Sequence, residues 1–416
     1  MTIKDKILLP FISPQKSYYE ILNLIKNRYY LDYKGPEGHI ISLTRKCSNL
    51  CKYCIADSGT AKNSMDSKTA IKIIDFIFTI PRQSYYIEFT GGEPFLNLDV
   101  LKEALSYSSE KSKKFNKKIY FSVVSNLTEL KEEAIKLILK YKITICTSLD
   151  GPKEIHDLNR PDSYEKVISN IKKIVYYAKT GHIEYPNIIT TITKKSLKRH
   201  KDIIEEYLKL GVMRVQLGFI EPYGRARLNW KEFGYSYQDY LEFYEKALNH
   251  IININIKKGI PIYEKGAYLL LHDLIKNKKP RYRAIDIYHR LAYDINANIY
   301  PSDEARILGE NGDKTFLIGS AKKIKNFENF IKKPTTQKFM LENFQELTRP
   351  LCSRCDYSLY CKVGGYYNRI AQNSISGNMI TNERCRLFKG IFDILSKLMK
   401  NRENMFVFNN WLNNYR

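Results

Sequence analysis

The chain has 416 residues, which is enough for two or three domains and a large buried core. Its formal net charge is +24, but the basic residues are scattered in short groups without a long arginine run, so nucleic-acid binding is not expected. It opens on a polar stretch and contains no run of about 18 apolar residues, so the sequence predicts no signal peptide and no membrane span. Seven of its eight cysteines fall into two groups, which favours metal sites in a cytoplasmic protein over disulfides.

Four segments follow one another along the chain. We expect an N-terminal preface at 1–36 with one helix at Tyr18–Arg28, an alternating strand–helix core at 37–225, connecting helices at 226–290 and a cysteine-bearing region at 291–416. The core has apolar strand candidates at 39–43, 86–89, 119–124, 143–148, 188–192 and 214–219. Helical stretches lie between them, at 67–79, 98–114, 128–141, 163–178 and 196–209. Six such units predict an α/β fold with a parallel sheet, curved as an open (β/α)6 barrel or left doubly wound, with its chemistry at the carboxyl ends of the strands.

Three cysteines follow the first predicted strand with the spacing C-x3-C-x2-C, namely Cys47, Cys51 and Cys54. Three thiolates are one fewer than a closed zinc site or an ordinary four-cysteine cluster needs. An iron–sulfur cluster that is held by only three thiolates keeps one iron open for an outside ligand. The alternative interpretation is a zinc knuckle that His39 or a distant residue completes.

Short polar motifs follow the next three predicted strands. Thr90-Gly-Gly-Glu-Pro94 comes after the second strand, Ser125-Asn126 after the third and Ser148-Leu-Asp-Gly-Pro152 after the fourth. Glycines let the backbone come close to a ligand, and Glu93 can accept a hydrogen bond from an ammonium group. Each motif taken alone is equally typical of a turn.

The cysteine spacing together with the Gly-Gly-Glu-Pro motif resembles the radical S-adenosylmethionine (SAM) family. The resemblance implies a [4Fe-4S] cluster on the three cysteines whose open iron chelates SAM. It also implies that reductive cleavage of SAM gives a 5′-deoxyadenosyl radical, which takes a hydrogen atom from the substrate. The residues that match the family's SAM contacts are Tyr53, Gly91, Gly92, Glu93, Ser125, Asn126, Ser148, Arg160 and, as a weaker adenine contact that could simply be core, Leu217.

A second group consists of Cys352, Cys355, Cys361 and Cys385. Four thiolates suit either a closed cluster or a structural zinc ion, and the spacing alone does not separate the two. Beside a radical SAM core the group resembles the SPASM extension of peptide-modifying members, which implies an auxiliary [4Fe-4S] cluster. SPASM enzymes commonly hold two auxiliary clusters, but the stretch 294–306 contains no cysteine, so the count allows only one here. The expected fold is a partial (β/α)6 TIM barrel with a C-terminal SPASM-like Fe–S subdomain.

Five motifs in this order resemble the radical SAM maturases of His-Xaa-Ser-type peptide systems. They are Glu88-Phe-Thr-Gly-Gly-Glu-Pro-Phe-Leu-Asn97, Ser148-Leu-Asp-Gly-Pro152, Asn159-Arg-Pro161, Glu221-Pro-Tyr-Gly224 and Ser302-Asp-Glu-Ala-Arg306. This resemblance implies a ribosomally synthesised precursor peptide as substrate, modified by C–H abstraction to form a side-chain crosslink or a similar bond. It also implies a reductant such as flavodoxin or ferredoxin.

If a proton leaves during crosslinking, Asp150, Asp303 and Glu304 are candidates for the general base. Asp303, Glu304 and Arg306 either face the space that the missing auxiliary cluster would otherwise fill or are simply the polar residues of a turn. The alternative functions are an anaerobic sulfatase-type maturase, a radical SAM RNA-modifying enzyme and a zinc-bound scaffold without catalysis.

Overall fold

The computed structural model describes residues 34–59, 61, 63–275, 286–342, 349–358, 360–361 and 363–414. The helix predicted at Tyr18–Arg28 and most of the N-terminal preface lie outside these ranges. The strands are β1 (Gly38–Thr44), β2 (Ser84–Gly91), β3 (Lys118–Val124), β4 (Thr144–Ser148), β5 (Asn187–Ile192), β6 (Arg214–Val215), β7 (Leu217–Phe219), β8 (Tyr263–Glu264), β9 (Arg290–Tyr293), β10 (Asn298–Tyr300) and β11 (Gly319–Ser320).

Helices connect the strands and form most of the C-terminal part. They are α1 (Ser67–Phe78), α2 (Leu98–Lys114), α3 (Glu132–Tyr141), α4 (Lys153–Asn159), α5 (Tyr164–Lys179), α6 (His200–Lys209), α7 (Arg225–Leu228), α8 (Trp230–Phe233), α9 (Tyr237–Lys258), α10 (Lys265–Ile275), α11 (Asp303–Glu310), α12 (Phe327–Ile331), α13 (Pro334–Glu342), α14 (Pro350–Ser353), α15 (Gly365–Gln372), α16 (Glu383–Leu398) and α17 (Arg402–Asn414). Short 3-10 turns occur at Pro94–Asn97, Asp286–Tyr288 and Lys314–Phe316.

Nine of these strands form one sheet in the order β11-β10-β9-β1-β2-β3-β4-β5-β7. The strands from β1 to β7 in this order are parallel neighbours, which confirms the predicted α/β core. The free edge of β1 pairs in parallel with β9 rather than with β7. The barrel is therefore partial, because its first strand cannot also pair with its last.

The sixth predicted strand is divided in two, because its halves pair with different partners. The first half, β6, pairs with β8, whereas β7 pairs with β5. At the division, the buried Glu264 side chain accepts a hydrogen bond from the backbone N–H of Leu217 at 3.3 Å. A carboxylate thus takes the place of a strand partner where the chain changes neighbours.

Local sequence explains the connecting helices. In α1, buried Ile73, Ile74 and Ile77 recur at helical spacing, and the Asp66 side chain caps the first turn. Helix α9 begins with a capping box between Ser236 and Asp239 and ends at a left-handed glycine. Helix α3 begins four residues later than predicted, because Thr128 is held in the preceding loop by hydrogen bonds with Asn126 and Ser48.

The C-terminal region is joined to the core in two ways. Strands β9 to β11 extend the core sheet itself, so the sheet runs across the domain boundary predicted at 290. Helices α16 and α17 pack against α9, and the α9–α16 contact is so close that a Cβ on Gly390 would lie 2.2 Å from Leu241 Cδ1. In the described ranges, no helix has the length and apolar character needed to cross a membrane.

Candidate active site at the carboxyl edge of the sheet

The first cysteine group lies in the loop that directly follows β1. Cys47 Sγ lies 3.4 Å from the backbone N–H of Asn49 and 3.4 Å from the side-chain amide of Asn126. Cys51 is buried, and its Sγ lies 3.7 Å from Arg160 Nη1. Burial raises the pKa of the Cys47 thiol to about 11 and also raises that of Cys51. The surrounding donors suit sulfur atoms that carry negative charge, which buried thiols adopt when they bind a metal.

The Gly-Gly-Glu motif after β2 is in close contact with the backbone that leads into this cysteine loop. Backbone N–H groups of Gly92 and Glu93 donate to the carbonyl oxygens of Thr44 and Lys46 at 2.7 and 2.8 Å. A Cβ on Gly92 would lie only 2.1 Å from the Lys46 oxygen, so any larger residue would displace the loop. The glycine is therefore required by close approach to protein backbone, in addition to any contact with a ligand.

Glu93 is hydrogen-bonded to two other predicted SAM-contact residues. Its buried carboxylate accepts hydrogen bonds from Ser125 Oγ at 2.9 Å and from the backbone N–H of Asn126 at 2.8 Å. Asn126 in turn donates to Cys47 Sγ. Burial raises the pKa of Glu93 to about 7, and the hydrogen bonds from Asn126, Phe95 and Ser125 offset part of that effect. A carboxyl group in this condition gains most from a nearby cation.

Asp150, after β4, is the centre of a second buried network. Its Oδ2 accepts hydrogen bonds from Tyr53 Oη at 2.5 Å, Arg160 Nε at 3.1 Å and Asn159 Nδ2 at 3.2 Å. Its Oδ1 accepts from the backbone N–H of Thr191 at 3.0 Å. The side chain is fully buried, so its lone pairs are already used by the protein. The arrangement favours a positioning role for Asp150, and its role as general base stays a prediction.

The remaining predicted contacts occupy different surroundings. Tyr53 is buried against Ile220, Ala226 and Phe233, with the Arg160 guanidinium 5.2 Å from its ring centre. Ser148 is half-buried at the end of β4. Leu217 belongs to the main hydrophobic core, which fits the core alternative stated for it.

Asp303 and Glu304 lie in the first turn of α11, and both are half-buried. Arg306 does not face open space, because its fully buried guanidinium pairs with Asp303 at 2.8 Å and with Glu310 at 2.6 Å. The expectation that Arg306 lines a cavity was therefore wrong: its charge is neutralised within its own helix. Burial raises the pKa of Glu304, with a further contribution from the Asp303 carboxylate. A carboxylate with a raised pKa takes up a proton more readily, so the surroundings of Glu304 suit the role of general base.

Sequence reasoning assigned no individual role to three residues near this site. Arg45 donates to the carbonyl oxygen of Glu310 and to Asn311 Oδ1, both at 3.0 Å, and so fixes the cysteine loop to the end of α11. Glu221 forms a buried ion pair with Arg384, which precedes Cys385 on α16. The sequence gives little indication of the roles of Arg45 and Glu221. Each lies in a loop, and the residue that it contacts is more than 100 positions away in the chain.

The zinc knuckle involving His39 is not supported. His39 lies near the amino end of β1, where its Nδ1 lies 3.1 Å from Tyr293 Oη, whereas the cysteines follow the carboxyl end of the strand. Burial lowers the pKa of His39 to about 3. Its ring packs at 6.0 Å from those of Tyr85 and Tyr293.

The four C-terminal cysteines all line one cavity of about 470 Å³. Within the described ranges, no three His, Cys, Asp or Glu side chains are grouped so as to hold a single metal ion. The cavity is far larger than an ion with bonds of about 2.3 Å requires. It has room for a bulkier group, and burial raises the pKa of Cys361 to about 12, so a positive partner is needed to keep its sulfur ionised. The four cysteines of this cavity are the donor set that a closed [4Fe-4S] cluster requires. The three cysteines after β1 are the donor set for a cluster with one open iron.

Gly224 provides a test of how tightly the cysteine loop is held. Its φ is +57°, and a Cβ would lie 2.5 Å from the carbonyl oxygens of both Cys54 and Ile55. We expect Gly224→Ala to displace the loop and to lower both iron binding by the first cysteine group and SAM cleavage. Iron analysis after anaerobic reconstitution and 5′-deoxyadenosine release measure the two effects.

Gly259→Ala is the control for a positive φ alone. Gly259 has φ at +64° and ψ at +16°, the left-handed helical conformation, and a Cβ there meets nothing within 4 Å. Its substitution carries the cost of a left-handed residue, about 1 kcal/mol. Gly224 has ψ at −137°, a conformation that is nearly restricted to glycine, so Gly224→Ala adds greater backbone strain and contact with the cysteine loop. Equal iron loss in the two variants would show that a positive φ alone, without contact with the cysteine loop, causes the effect.

Comparison with known proteins agrees with this geometry. Residues 41–178 match the family model of the Radical SAM superfamily. An uncharacterised protein of Methanocaldococcus jannaschii is 29% identical over 195 residues, which is 47% of this chain and 66% of that protein. A cysteine-type anaerobic sulfatase-maturating enzyme of Clostridium novyi is 24% identical over 373 residues, which is 83% of this chain and 91% of that enzyme.

Two solved structures share the fold over most of the chain. The structure of anSMEcpe with bound AdoMet and Cp18Cys peptide has a TM-score of 0.71 at 18% identity, and covers 90% of this chain and 99% of its own. Streptococcus suis SuiB bound to the precursor peptide SuiA has a TM-score of 0.62 at 16% identity, and covers 90% of this chain and 82% of its own. The chain therefore contains a radical SAM domain, within an overall fold that it shares with anSMEcpe and SuiB.

Proposed function

We propose that this protein modifies a ribosomally synthesised peptide by radical SAM chemistry, with a side-chain crosslink as the expected product. The observation that carries the proposal is the connected site at the carboxyl edge of the sheet. There, Cys47, Asn126, Ser125 and Glu93 are linked by contacts of 2.8 to 3.4 Å, although they come from three separate loops. When bound, the cluster would supply the electron that cleaves SAM to the radical which abstracts hydrogen from the peptide.

The chain's own residues would bind and orient SAM. Glu93 would accept hydrogen bonds from the amino group of SAM, replacing the bond that Ser125 Oγ makes with it. Arg160 would pair with the carboxylate of SAM, and Asp150 holds the Nε side of its guanidinium so that the Nη side points toward Cys51. The two charged groups thus match the two charges at the methionine end of SAM.

A cavity of about 500 Å³ beside this site would take the peptide. It is lined mainly by aromatic side chains and by the Arg384 guanidinium: Phe219, Trp230, Tyr235, Tyr240 and Tyr367. Ile220, also on its wall, packs against Tyr53 next to the first cysteine group, and α16, which contributes Arg384 to the wall, carries Cys385. A peptide bound here would lie near elements that carry both cysteine groups, and aromatic walls suit apolar or aromatic peptide residues.

The pH dependence of SAM binding tests the role of Glu93. Its raised pKa of about 7 means that the SAM-free protein holds a proton there at mildly acid pH, and this proton must leave before the carboxylate can pair with an ammonium group. We expect SAM affinity to increase as pH rises through about 7. Calorimetry on the reconstituted protein measures the trend. Glu93→Gln should bind more weakly and lose this dependence, and an unchanged slope in that variant would exclude Glu93 as its source.

The proposed activity is tested with the small peptides encoded next to the gene. Reconstituted protein, SAM and reductant are incubated anaerobically with each peptide, and the products are sequenced by mass spectrometry. The expected product has lost two hydrogen atoms per new bond, and deuterium from a labelled peptide should appear in 5′-deoxyadenosine. Turnover of SAM with no change in any peptide, and with no transfer of deuterium, would contradict the proposal.

A second candidate function is supported by the similarity to the Clostridium novyi sulfatase-maturating enzyme over 83% of the chain. On this alternative the substrate is a cysteine or serine side chain of a sulfatase, which is oxidised and not crosslinked. A sulfatase-derived peptide with a single cysteine distinguishes the two. Its oxidation, with neighbouring-gene peptides unchanged, would favour the alternative.

A further inference from the structure

Arg349 is a buried cation with an incomplete set of partners. It immediately precedes α14, which carries Cys352, and only 3% of its surface is exposed. Its Nη2 donates to the carbonyl oxygen of Ile375 at 3.3 Å, but Nε and Nη1 are buried and have no hydrogen-bond partner among the described residues. A buried guanidinium in this condition is costly, which indicates that a negatively charged group belongs beside it.

The residues near Arg349 indicate where this negatively charged group would lie. Cys352, Cys361 and Cys385 are among the neighbours whose negative charge would stabilise its protonated form. Glu342 is also close enough to act on it, but in the described part of the chain it makes no hydrogen bond with the guanidinium, and its own Oε2 has no partner either. Three thiols, on α14, on α16 and in a loop, would act on Arg349 through their charge, whereas Glu342 offers a single carboxylate.

The cysteine cavity itself carries positive charge. Besides the four cysteines, its lining includes Arg354, Arg386 and Lys389, and among the described residues no Asp or Glu lines it. Four thiolates outweigh the positive charge of an oxidised [4Fe-4S] core, so a fully ligated cluster is an anion. A cavity with basic walls and a buried cation behind them is complementary to such a group.

We infer that Arg349 is a positioning residue for the auxiliary cluster, which donates its Nε–H and Nη1–H to the cluster or its thiolates and thereby raises the cluster's reduction potential. The inference rests on the auxiliary cluster of the proposed function. Reduction adds one negative charge to the cluster, and a buried cation at hydrogen-bond distance stabilises the reduced form more than the oxidised form. Arg349 would thus help the cluster accept the electron that bond formation in the peptide releases.

Redox titration of the auxiliary cluster tests the inference without any activity measurement. The full chain with Cys47, Cys51 and Cys54 replaced by alanine is reconstituted, so that only the C-terminal cluster contributes, and its midpoint potential is followed by EPR. Arg349→Met is expected to move this potential to a more negative value while iron content stays at about four. Arg349→Lys keeps the positive charge but loses the planar set of N–H donors. Its midpoint potential should lie between those of the parent protein and Arg349→Met.

Arg354→Met is the matched control. It removes the same charge from the same cavity, but its side chain is exposed, so solvent and salt screen its effect. The inference requires a clearly larger shift for Arg349→Met than for this control. Equal shifts, or no shift at all, would overturn it.

A second measurement covers the case in which Arg349→Met fails to hold a cluster. The reduced auxiliary cluster in protein labelled with 15N-arginine should show hyperfine coupling to a guanidinium nitrogen, and this coupling should disappear in Arg349→Lys. Its absence from the labelled parent would overturn the inference. If the parent contains zinc and no iron at this site, the auxiliary cluster fails together with the inference, while peptide modification remains open to its own test.

Discussion

Replacing Cys47, Cys51 and Cys54 with alanine is expected to lower the iron content of the reconstituted protein from about eight to about four atoms. It should also abolish SAM cleavage. The three sulfurs are the only cysteine ligands in the loop after β1, and their donors, Asn126 and Arg160, cannot bind iron themselves. The four C-terminal cysteines lie in a separate cavity and should keep their own cluster.

Two further variants show which cysteine group binds which irons. Replacing Cys352, Cys355, Cys361 and Cys385 with alanine should remove the other four irons but leave SAM cleavage measurable, because the SAM-binding loops lie at the edge of the sheet. Cys146→Ala is the control, since Cys146 lies half-buried on β4 outside both groups, and its loss should leave iron unchanged. A wild-type protein with only about four irons, all lost in the first variant, would make the C-terminal site a zinc site.

The core sheet could be predicted from sequence because its signals are local. Strands such as β2 and β3 are rich in aromatic and β-branched residues and lie between polar turns, and each pairs with its neighbour along the chain. The division of the sixth strand could not be predicted, because Glu264, which lies 47 positions after Leu217, determines it. Strands β9 to β11 were also missed, since two to four residues carry no periodic pattern and the pairing of β9 with β1 is long-range.

The candidate site shows the same division between local and long-range information. The motif at 90–94 could be assigned from sequence, because a family pattern depends on residues that are adjacent in the chain. The raised pKa of Glu93 and the unpartnered nitrogens of Arg349 could not, since both depend on how deeply folding buries the group. The same limit applies to Asp150, which the sequence offers as a free carboxylate and the fold surrounds with four donors.

Arg160→Leu is expected to destabilise the protein more than any other single substitution at this site. Arg160 is the one cation in ion-pair contact with Asp150 among the described residues, and both side chains are buried. Removal of one partner from a buried pair leaves an uncompensated charge and costs about 3 to 5 kcal/mol. The thermal unfolding midpoint of the iron-free protein should therefore fall sharply, and SAM binding by the reconstituted protein should weaken.

Asp150→Asn in the Arg160→Leu background distinguishes a positioning role from a catalytic one. Asparagine retains most of the shape of Asp150 without its charge, so the double variant should recover part of the lost stability if the buried charge is the cause.

Asp150→Asn alone should weaken SAM binding and SAM cleavage together, because Arg160 and Tyr53 both lose the group that orients them. A general base would behave differently, since its loss should leave SAM binding and cleavage intact and stop only the product-forming step. Normal SAM cleavage with no peptide product in Asp150→Asn would therefore restore Asp150 as the base and remove Glu304 from that role.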